Sequence, residues 1–182
     1  MGRMIFLTTL FIISISLQSR SQSVSFSGSN YANAGNAAPL HVTNFTLEAW
    51  VKIEGTGATT SSGSGGVTLV PFIAKGRAES ELAAVDVNYI FGYDLTTRKL
   101  VADFEDNATS ANHPVTGNTA LGACWTHVAA TYNTATNTWK LYINGVLDQT
   151  LALGAAFTPQ SLSNVSTAIG TSLNSTNATE GF

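Results

Sequence analysis

Residues 124–151 read CWTHVAATYNTATNTWKLYINGVLDQTL, and this stretch predicts three antiparallel strands joined by two turns. Apolar and polar residues alternate in its middle part, where Trp139, Leu141 and Ile143 share one face. Such alternation is typical of a half-buried strand. The Asn144-Gly145 pair that follows favours a type I′ hairpin, because both residues tolerate positive φ. We therefore expect the chain to reverse there into the third strand.

Residues 45–54, FTLEAWVKIE, form a second alternating stretch. Its odd-numbered residues are apolar, and a shift by one position would expose all of them, so burial fixes the register of this strand. Trp50 is the aromatic exception on the otherwise polar face. It either stacks on a sugar ring through its π-face or is covered by a loop. We name it as a candidate ligand contact.

Shorter runs of apolar and β-branched residues predict the remaining strands. These strands are residues 24–26, 67–75, 88–95, 99–105 and 167–172. Segments rich in Gly, Ser, Asn and Thr are predicted to be loops. These loops are residues 27–36, 55–66, 106–122 and 173–182. Pro71 lies inside a predicted strand, which indicates either an edge strand or a bulge.

Four motifs carry a resemblance to a known family. W-x-H-V-A-x-x-Y begins at Trp125 and W-x-L-Y-x-N-G at Trp139, while FTLEAWVK begins at Phe45 and F-S-G-x-x-Y at Phe26. Through these motifs residues 24–182 resemble the laminin-G-like, pentraxin-like domains of the concanavalin A-like lectin/glucanase superfamily. The resemblance implies an all-β fold, an antiparallel two-sheet β-sandwich of the jelly-roll type.

The same family carries a G-F/Y-x-G-x-I-D-E-V-R-I-W segment, which forms a last strand paired with the first. Gly181-Phe182 matches the beginning of that segment. The resemblance therefore implies that the domain lacks its last strand and belongs to a longer surface protein. An unpaired sheet edge is then expected beside residues 24–26.

Residues 1–21 are predicted to be a signal peptide. Arg3 supplies a positive start, residues 5–17 are an apolar run, and Ser19 and Ser21 suit a cleavage site. As a helix the apolar run would reach only about 20 Å, which is too short for a hydrocarbon core of about 30 Å and disfavours a membrane anchor. We expect the cleaved chain to be secreted, extracellular or at the cell surface, and to be free of the membrane.

The charge balance argues against nucleic acid as a partner. The chain has 8 Lys and Arg against 11 Asp and Glu, and loss of the leader removes two of the basic residues. Phosphate recognition needs a basic patch, which this composition does not provide. A single cysteine, Cys124, excludes an intramolecular disulfide. We expect it to be a small buried hydrophobe, with an intermolecular bridge or a reactive thiol as the alternative.

The resemblance also suggests a calcium site. Family members that bind calcium often carry an aspartate in the segment that is residues 27–36 here, whereas this chain has Ser29 and Asn30. The amide oxygen of Asn30 is the candidate ligand, and calcium is the cofactor to be expected. His113, in the predicted loop 106–122, is a second candidate ligand contact. A solvated loop histidine is the alternative.

The family includes lectins, adhesion modules and enzymes, so the fold does not name the activity. We expect a non-catalytic recognition module that binds a glycan or an extracellular protein through the loops 55–66 and 106–122. A structural spacer in an adhesin-like protein is the first alternative. A glycan hydrolase or lyase that uses Glu79 or Glu105 is the second, although neither residue lies in the family's E-x-D-x-x-E motif.

Overall fold

The computed structural model of the chain describes residues 22–27, 30–77, 79, 82 and 85–180. Within these ranges 13 strands are found, and a 3-10 turn at Ala38–Leu40 is the helical element. No helix in this part of the chain is both long enough and apolar enough to cross a membrane. The predicted signal peptide lies outside the described residues.

The strands are short and are joined by turns and loops. They are β1 (Ala32–Gly35), β2 (Phe45–Val51), β3 (Thr60–Ser61), β4 (Thr68–Lys75), β5 (Tyr89–Tyr93), β6 (Lys99–Asp103), β7 (Val115–Ala120), β8 (Thr126–Asn133), β9 (Thr138–Ile143), β10 (Val146–Ala152), β11 (Thr167–Ile169), β12 (Ser172–Leu173) and β13 (Thr179–Glu180).

Two antiparallel sheets form the sandwich. Sheet A has the strand order β1-β11-β4-β5-β6-β7, with β3 added beside β4. Sheet B has the order β10-β9-β8-β2. A separate two-stranded ribbon joins β12 and β13. This architecture confirms the predicted all-β, two-sheet sandwich.

The main core lies between the two sheets and is built from alternate residues of their strands. Leu47 on β2, Val128 on β8 and Leu141 on β9 face Phe91 and Leu100 of sheet A. Trp139 is fully buried in the centre. Its ring packs against those of Phe45, Phe104 and Tyr132, with centroid distances of 5.6, 5.5 and 5.1 Å. The apolar alternation predicted for β2 and β9 is therefore confirmed.

Turn chemistry also follows the sequence. Asn144 and Gly145 have φ values of 51° and 77°, the left-handed conformation that a type I′ hairpin requires. They join β9 to β10, so the three-stranded meander β8-β9-β10 is confirmed. Pro71 produces the predicted bulge, because the register of β4 against β5 shifts between Pro71 and Ile73. The edge-strand alternative is wrong, since β4 lies between β11 and β5.

In the first and last parts of the described chain, the strands differ from those predicted. No strand is formed by residues 24–26, whereas β1 lies in the predicted loop 27–36. β1 consists of small residues and one asparagine, three of its four residues are exposed, and main-chain pairing with β11 holds it in place. The predicted loop 173–182 likewise contains β13, which pairs with β12. Apolar alternation gives no signal for such strands.

The two predicted contact loops are also partly strand. Residues 55–66 contain β3, which pairs with β4, and residues 106–122 contain β7, which extends sheet A beside β6. The two segments meet where Asn112 Nδ2 donates to the carbonyl oxygen of Ser64 at 3.1 Å. They therefore cover the outer side of sheet A instead of projecting freely from a rim.

This cover buries a second layer outside sheet A. Its apolar members are Leu69, Ala74, Val87, Ile90, Val101 and the partly buried Val67. Asp103 is also fully buried there, and its carboxylate accepts a hydrogen bond from Ser62 Oγ at 2.6 Å. The outer side of sheet A is thus closed to solvent over β4, β5 and β6.

Cys124 is exposed and free, so the prediction of a buried cysteine is wrong. The residue stands just before β8, outside the stretch in which alternate residues are turned into the core.

Candidate functional site

The outer face of sheet B is open, in contrast to that of sheet A. Residues opposite one another on adjacent strands define this face. They are Thr46, Glu48 and Trp50 on β2, His127, Ala129 and Thr131 on β8, and Lys140 and Tyr142 on β9. All of them have the sequence parity opposite to that of the core residues of the same strands, and all except Ala129, which is 6% exposed, are partly or fully exposed. We call this surface the open face.

Two tryptophans stand at one end of the open face. Trp50 is 65% exposed and Trp125 is 50% exposed. Together with Gln22 and Ser23 they line a cleft of about 430 Å³. An exposed large aromatic ring offers an apolar surface for a ligand at little cost in conformational entropy. A pair of such rings on one cleft makes the cleft a candidate binding site, whereas scattered surface residues are ordinary.

Polar groups stand beside this tryptophan pair. Trp50 and His127 are directly opposite each other, and their rings meet edge-on with centroids 5.5 Å apart. The Nε2 atom of His127 lies 3.6 Å from a carboxylate oxygen of Glu48. The side chain of Glu48 is 63% exposed, so its carboxylate is accessible to solvent as an acceptor. The cleft therefore combines apolar faces with donors and acceptors at its side.

The other end of the open face is polar. A cleft of about 530 Å³ lies there and is rich in hydroxyl and amide groups. Its lining includes Asn44, Thr46, Thr131, Asn133, Thr138, Lys140 and Tyr142. Thr46 at this cleft and Trp50 at the other are four positions apart on β2, which is about 13 Å along the strand.

Trp50 is the predicted site residue that lies on the open face, and the loop-covered alternative does not apply to it. Trp125 was not predicted as a site residue, although the sequence contains a signal for it. It stands two residues before His127 and shares the parity of the polar residues of β8.

His113 lies elsewhere, outside the open face. Its ring stacks on Phe157 with a centroid distance of 3.8 Å and lies 5.3 Å from that of Phe104. Its carbonyl oxygen accepts the indole N–H of Trp139 at 2.9 Å. Partial burial lowers the pKa of the imidazole, and Nε2 is buried without a hydrogen bond. The solvated-histidine alternative is therefore wrong, and a role in ligand contact remains a prediction that this packing does not favour.

Asn30 is exposed in the loop before β1. Its Oδ1 accepts the N–H of Ser27 at 2.7 Å, and its Nδ2 donates to the carbonyl oxygen of Ser25 at 2.6 Å. These bonds shape the local loop and bring no carboxylate to the amide oxygen. Among the described residues no cluster of three or more His, Cys, Asp and Glu side chains is placed to hold a metal. The calcium ligand role of Asn30 remains a prediction.

The candidate catalytic carboxylates are not paired on an open surface. Glu79 accepts the N–H and the hydroxyl of Ser175, both at 2.6 Å, and these bonds lower the pKa of its carboxyl. Glu105 is buried, and its Oε2 accepts the N–H of Val87 at 2.7 Å. Both side chains thus hold loops in position.

Fold and open face together define a lectin-like jelly-roll domain. The chain belongs to the concanavalin A-like lectin/glucanases superfamily, whose family model matches residues 26–182. This match confirms the resemblance drawn from the W-x-H-V-A and F-T-L-E-A-W motifs. A comparison with curated proteins found no match.

Solved structures of similar fold include CBM40 of the Ruminococcus gnavus IT-sialidase. The form bound to α2,3 sialyllactose has a TM-score of 0.62 at 14% identity, covering 87% of this chain and 83% of that one. A second structure of the same CBM40 has a TM-score of 0.63 at 13% identity, covering 87% and 84%. The form bound to α2,6 sialyllactose has a TM-score of 0.56 at 13% identity, covering 79% and 75%. At this identity the similarity is one of fold.

Proposed function

We propose that this domain is a non-catalytic carbohydrate-binding module that holds a glycan on the open face of sheet B. The observation that carries the proposal is the pair of exposed tryptophans, Trp50 and Trp125, on one cleft. Sugar rings present apolar C–H faces and polar rims, which match aromatic rings flanked by hydrogen-bonding groups. Sugar binding by CBM40 on a similar fold supports the proposal.

The charge of the site favours neutral sugars. Glu48 places an exposed carboxylate beside the tryptophan cleft, and its partner His127 lies against it. Lys52 at the same end forms an ion pair with Glu54 at 2.5 Å. Among the described residues, those that line this cleft carry no positive charge to offset the Glu48 carboxylate, so like charges would repel an acidic sugar. We expect hexoses or N-acetylhexosamines to bind there in preference to sialic acid.

The proposal includes the location at which the domain acts. The leader predicted in residues 1–21 would export the chain, so the module would act outside the cell. A glycan on a cell surface or in the surrounding matrix is then the partner, with the domain serving as the recognition part of a larger protein.

A glycan array probed with the exported chain tests the function. Neutral oligosaccharides and both sialyllactoses are included, and hits are followed by titration calorimetry. Trp50→Ala and Trp125→Ala are each expected to weaken binding about two- to tenfold, since an aromatic contact contributes roughly 0.5–1.5 kcal/mol. Leu162→Ala removes a side chain that is similarly exposed, at 61%, outside the open face and serves as the matched control.

The possible results test the binding site and the carbohydrate-binding function separately. Loss of binding in the tryptophan variants with retention in the Leu162 variant supports both. Binding that survives the double tryptophan variant unchanged removes the open face as the site. An array without hits rejects carbohydrate binding and leaves the spacer role.

A further inference from the structure

A second group of polar side chains lies in sheet A, away from the open face. Asp86 and Asn88 are both fully buried, at 0% exposure. Neither carboxylate oxygen of Asp86 makes a hydrogen bond, and neither polar atom of the Asn88 amide does. Buried polar groups are ordinarily paired, and a buried charge is paired or coordinates a metal. Four unpaired atoms on two neighbouring residues therefore need a partner.

A third carboxylate stands at the same place. The peptide N–H of Val87, between Asp86 and Asn88, donates to Glu105 Oε2 at 2.7 Å. The N–H of Glu105 donates back to the carbonyl oxygen of Val87 at 3.0 Å. Glu105 is 2% exposed. The Glu105 carboxylate is thus bound to the peptide segment that joins the two residues with unpaired side chains.

The backbone that carries these groups is held independently of their unpaired atoms. The N–H of Asn88 donates to the carbonyl oxygen of Lys75 at 2.9 Å, and that of Asp86 donates to Leu82 at 3.0 Å. Gly76 passes so close that a Cβ there would lie 2.2 Å from the carbonyl oxygen of Asp86. The site is therefore formed by main-chain contacts before any ligand is bound.

The buried lysine of the neighbouring strand β4 is bound to other groups. Lys75 is fully buried, and its Nζ donates to Asn36 Oδ1 and, at 2.7 Å, to the carbonyl oxygen of Val165. These partners belong to the β1 side of the sheet. The Asp86 carboxylate thus has no counter-charge within hydrogen-bonding reach in the described part of the chain.

We propose that Asp86, Asn88 and Glu105 form an internal site for a divalent cation, with calcium as the preferred ion. All the available ligands are oxygens, which suits a hard cation and disfavours zinc. Calcium accepts six to eight oxygens in a flexible geometry, with waters completing the shell, whereas magnesium retains its own water. The burial of all three side chains, which leaves little room for a fully hydrated ion, therefore favours calcium. The ion would tie the loop after β4 to the end of β6.

Thermal unfolding of the full exported chain tests this site. After treatment with EDTA, calcium chloride is expected to raise Tm by about 5–10 °C at a hundred times Kd, with a smaller effect of magnesium. Calorimetry should give one calcium ion per chain. Failure of calcium to shift Tm or to bind would overturn the proposal and indicate that internal waters satisfy these groups.

Three variants test whether the effect of calcium on Tm arises at this site. Asp86→Asn is expected to lose the calcium response and, in EDTA, to be at least as stable as the wild type, because the unpaired charge is gone. Asp103→Asn removes a buried carboxylate that is already hydrogen-bonded and is expected to keep the response. Asn88→Asp adds a ligand charge and should bind calcium more tightly while losing stability in EDTA. An equal calcium response in all three variants would place the ion elsewhere and reject the site.

Calcium at this site and glycan at the open face should act separately. Asp86→Asn is therefore expected to bind any array hit with the wild-type affinity at a temperature where it is folded. This result distinguishes a failure of the cation site from a failure of the proposed function.

Discussion

Asp103→Asn is expected to remove a pH dependence of stability that is built into the layer outside sheet A. Asp103 accepts hydrogen bonds from Ser62 Oγ at 2.6 Å, from Phe104 N–H at 2.8 Å and from His113 N–H at 2.9 Å. Burial outweighs these three bonds and raises the pKa of the carboxyl from 3.8 to about 7. The protonated form can donate to Ser62 Oγ, whose own hydrogen then reaches the carbonyl oxygen of Val67 at 3.2 Å.

The direction of the pH dependence of stability follows from proton binding to Asp103 in the folded and unfolded states. Between pH 4 and pH 7 the folded chain holds a proton on Asp103 that the unfolded chain has released, so stability falls as pH rises through this window. Above pH 7 the stabilisation by this proton is fully lost. A shift of about 3 pKa units corresponds to about 4 kcal/mol in total. Roughly 2–3 kcal/mol of this is lost between pH 5 and pH 8.

Urea unfolding followed by tryptophan fluorescence at pH 5, 6, 7 and 8 measures the effect. The stability difference between Asp103→Asn and the wild type should grow by about 2–3 kcal/mol across this range in favour of the variant. Asp94→Asn is the control, because bonds from Thr97 lower the pKa of Asp94, which stays ionised throughout. Parallel curves for Asp103→Asn and the wild type would refute the reasoning.

Two pairs of substitutions test the packing of the sandwich, and the stability of each variant is measured by urea unfolding. Trp139→Ala should cost about 3–5 kcal/mol because the ring is fully buried, whereas Trp50→Ala should cost less than about 1 kcal/mol because its ring is exposed. Equal losses would contradict the assignment of inner and outer faces. Gly92→Ala should cost about 1–3 kcal/mol, since its Cβ would lie 2.0 Å from the carbonyl oxygen of Val70. Gly122→Ala, with no atom within 4 Å, should be neutral, and a tolerated Gly92→Ala would show that β4 and β5 are less closely packed.

Strands that bury one face were predictable from the sequence. In β2 and β9 every second residue is apolar, and the buried positions of the structure are the same positions. Burial of that face and the geometry of the Asn144-Gly145 turn fix both register and direction. Local sequence therefore carries enough information for this half of the domain.

Strands without a buried face were not predictable in this way. β1 contains only small and polar residues, and it is a strand because β11 offers main-chain groups beside it. β7 lies in a polar segment and pairs with β6. Main-chain pairing depends on which strands become neighbours, and that arrangement is set by the whole fold.

The candidate site was likewise only partly predictable from the sequence. The parity of β2 predicts that Trp50 faces outward, and the parity of β8 predicts the same for Trp125. Whether an outward residue meets solvent depends on what covers its sheet, and the sequence around it does not contain that information. His113 illustrates the limit, because its polar loop folds against Phe104 and Phe157 and buries part of the ring.

The cover of sheet A also explains where a ligand can bind. Segments from three distant parts of the chain, around Ser62, Val87 and Asn112, converge on the outer side of β4, β5 and β6 and bury it. Within the part of the chain that the structure describes, no such cover lies over Trp50 and the other exposed residues of the equivalent side of sheet B. A sandwich with one covered and one bare face has its broad binding surface on the bare face. The covered face is then suited to groups that must be kept from water, such as Asp103 and the cation ligands proposed above.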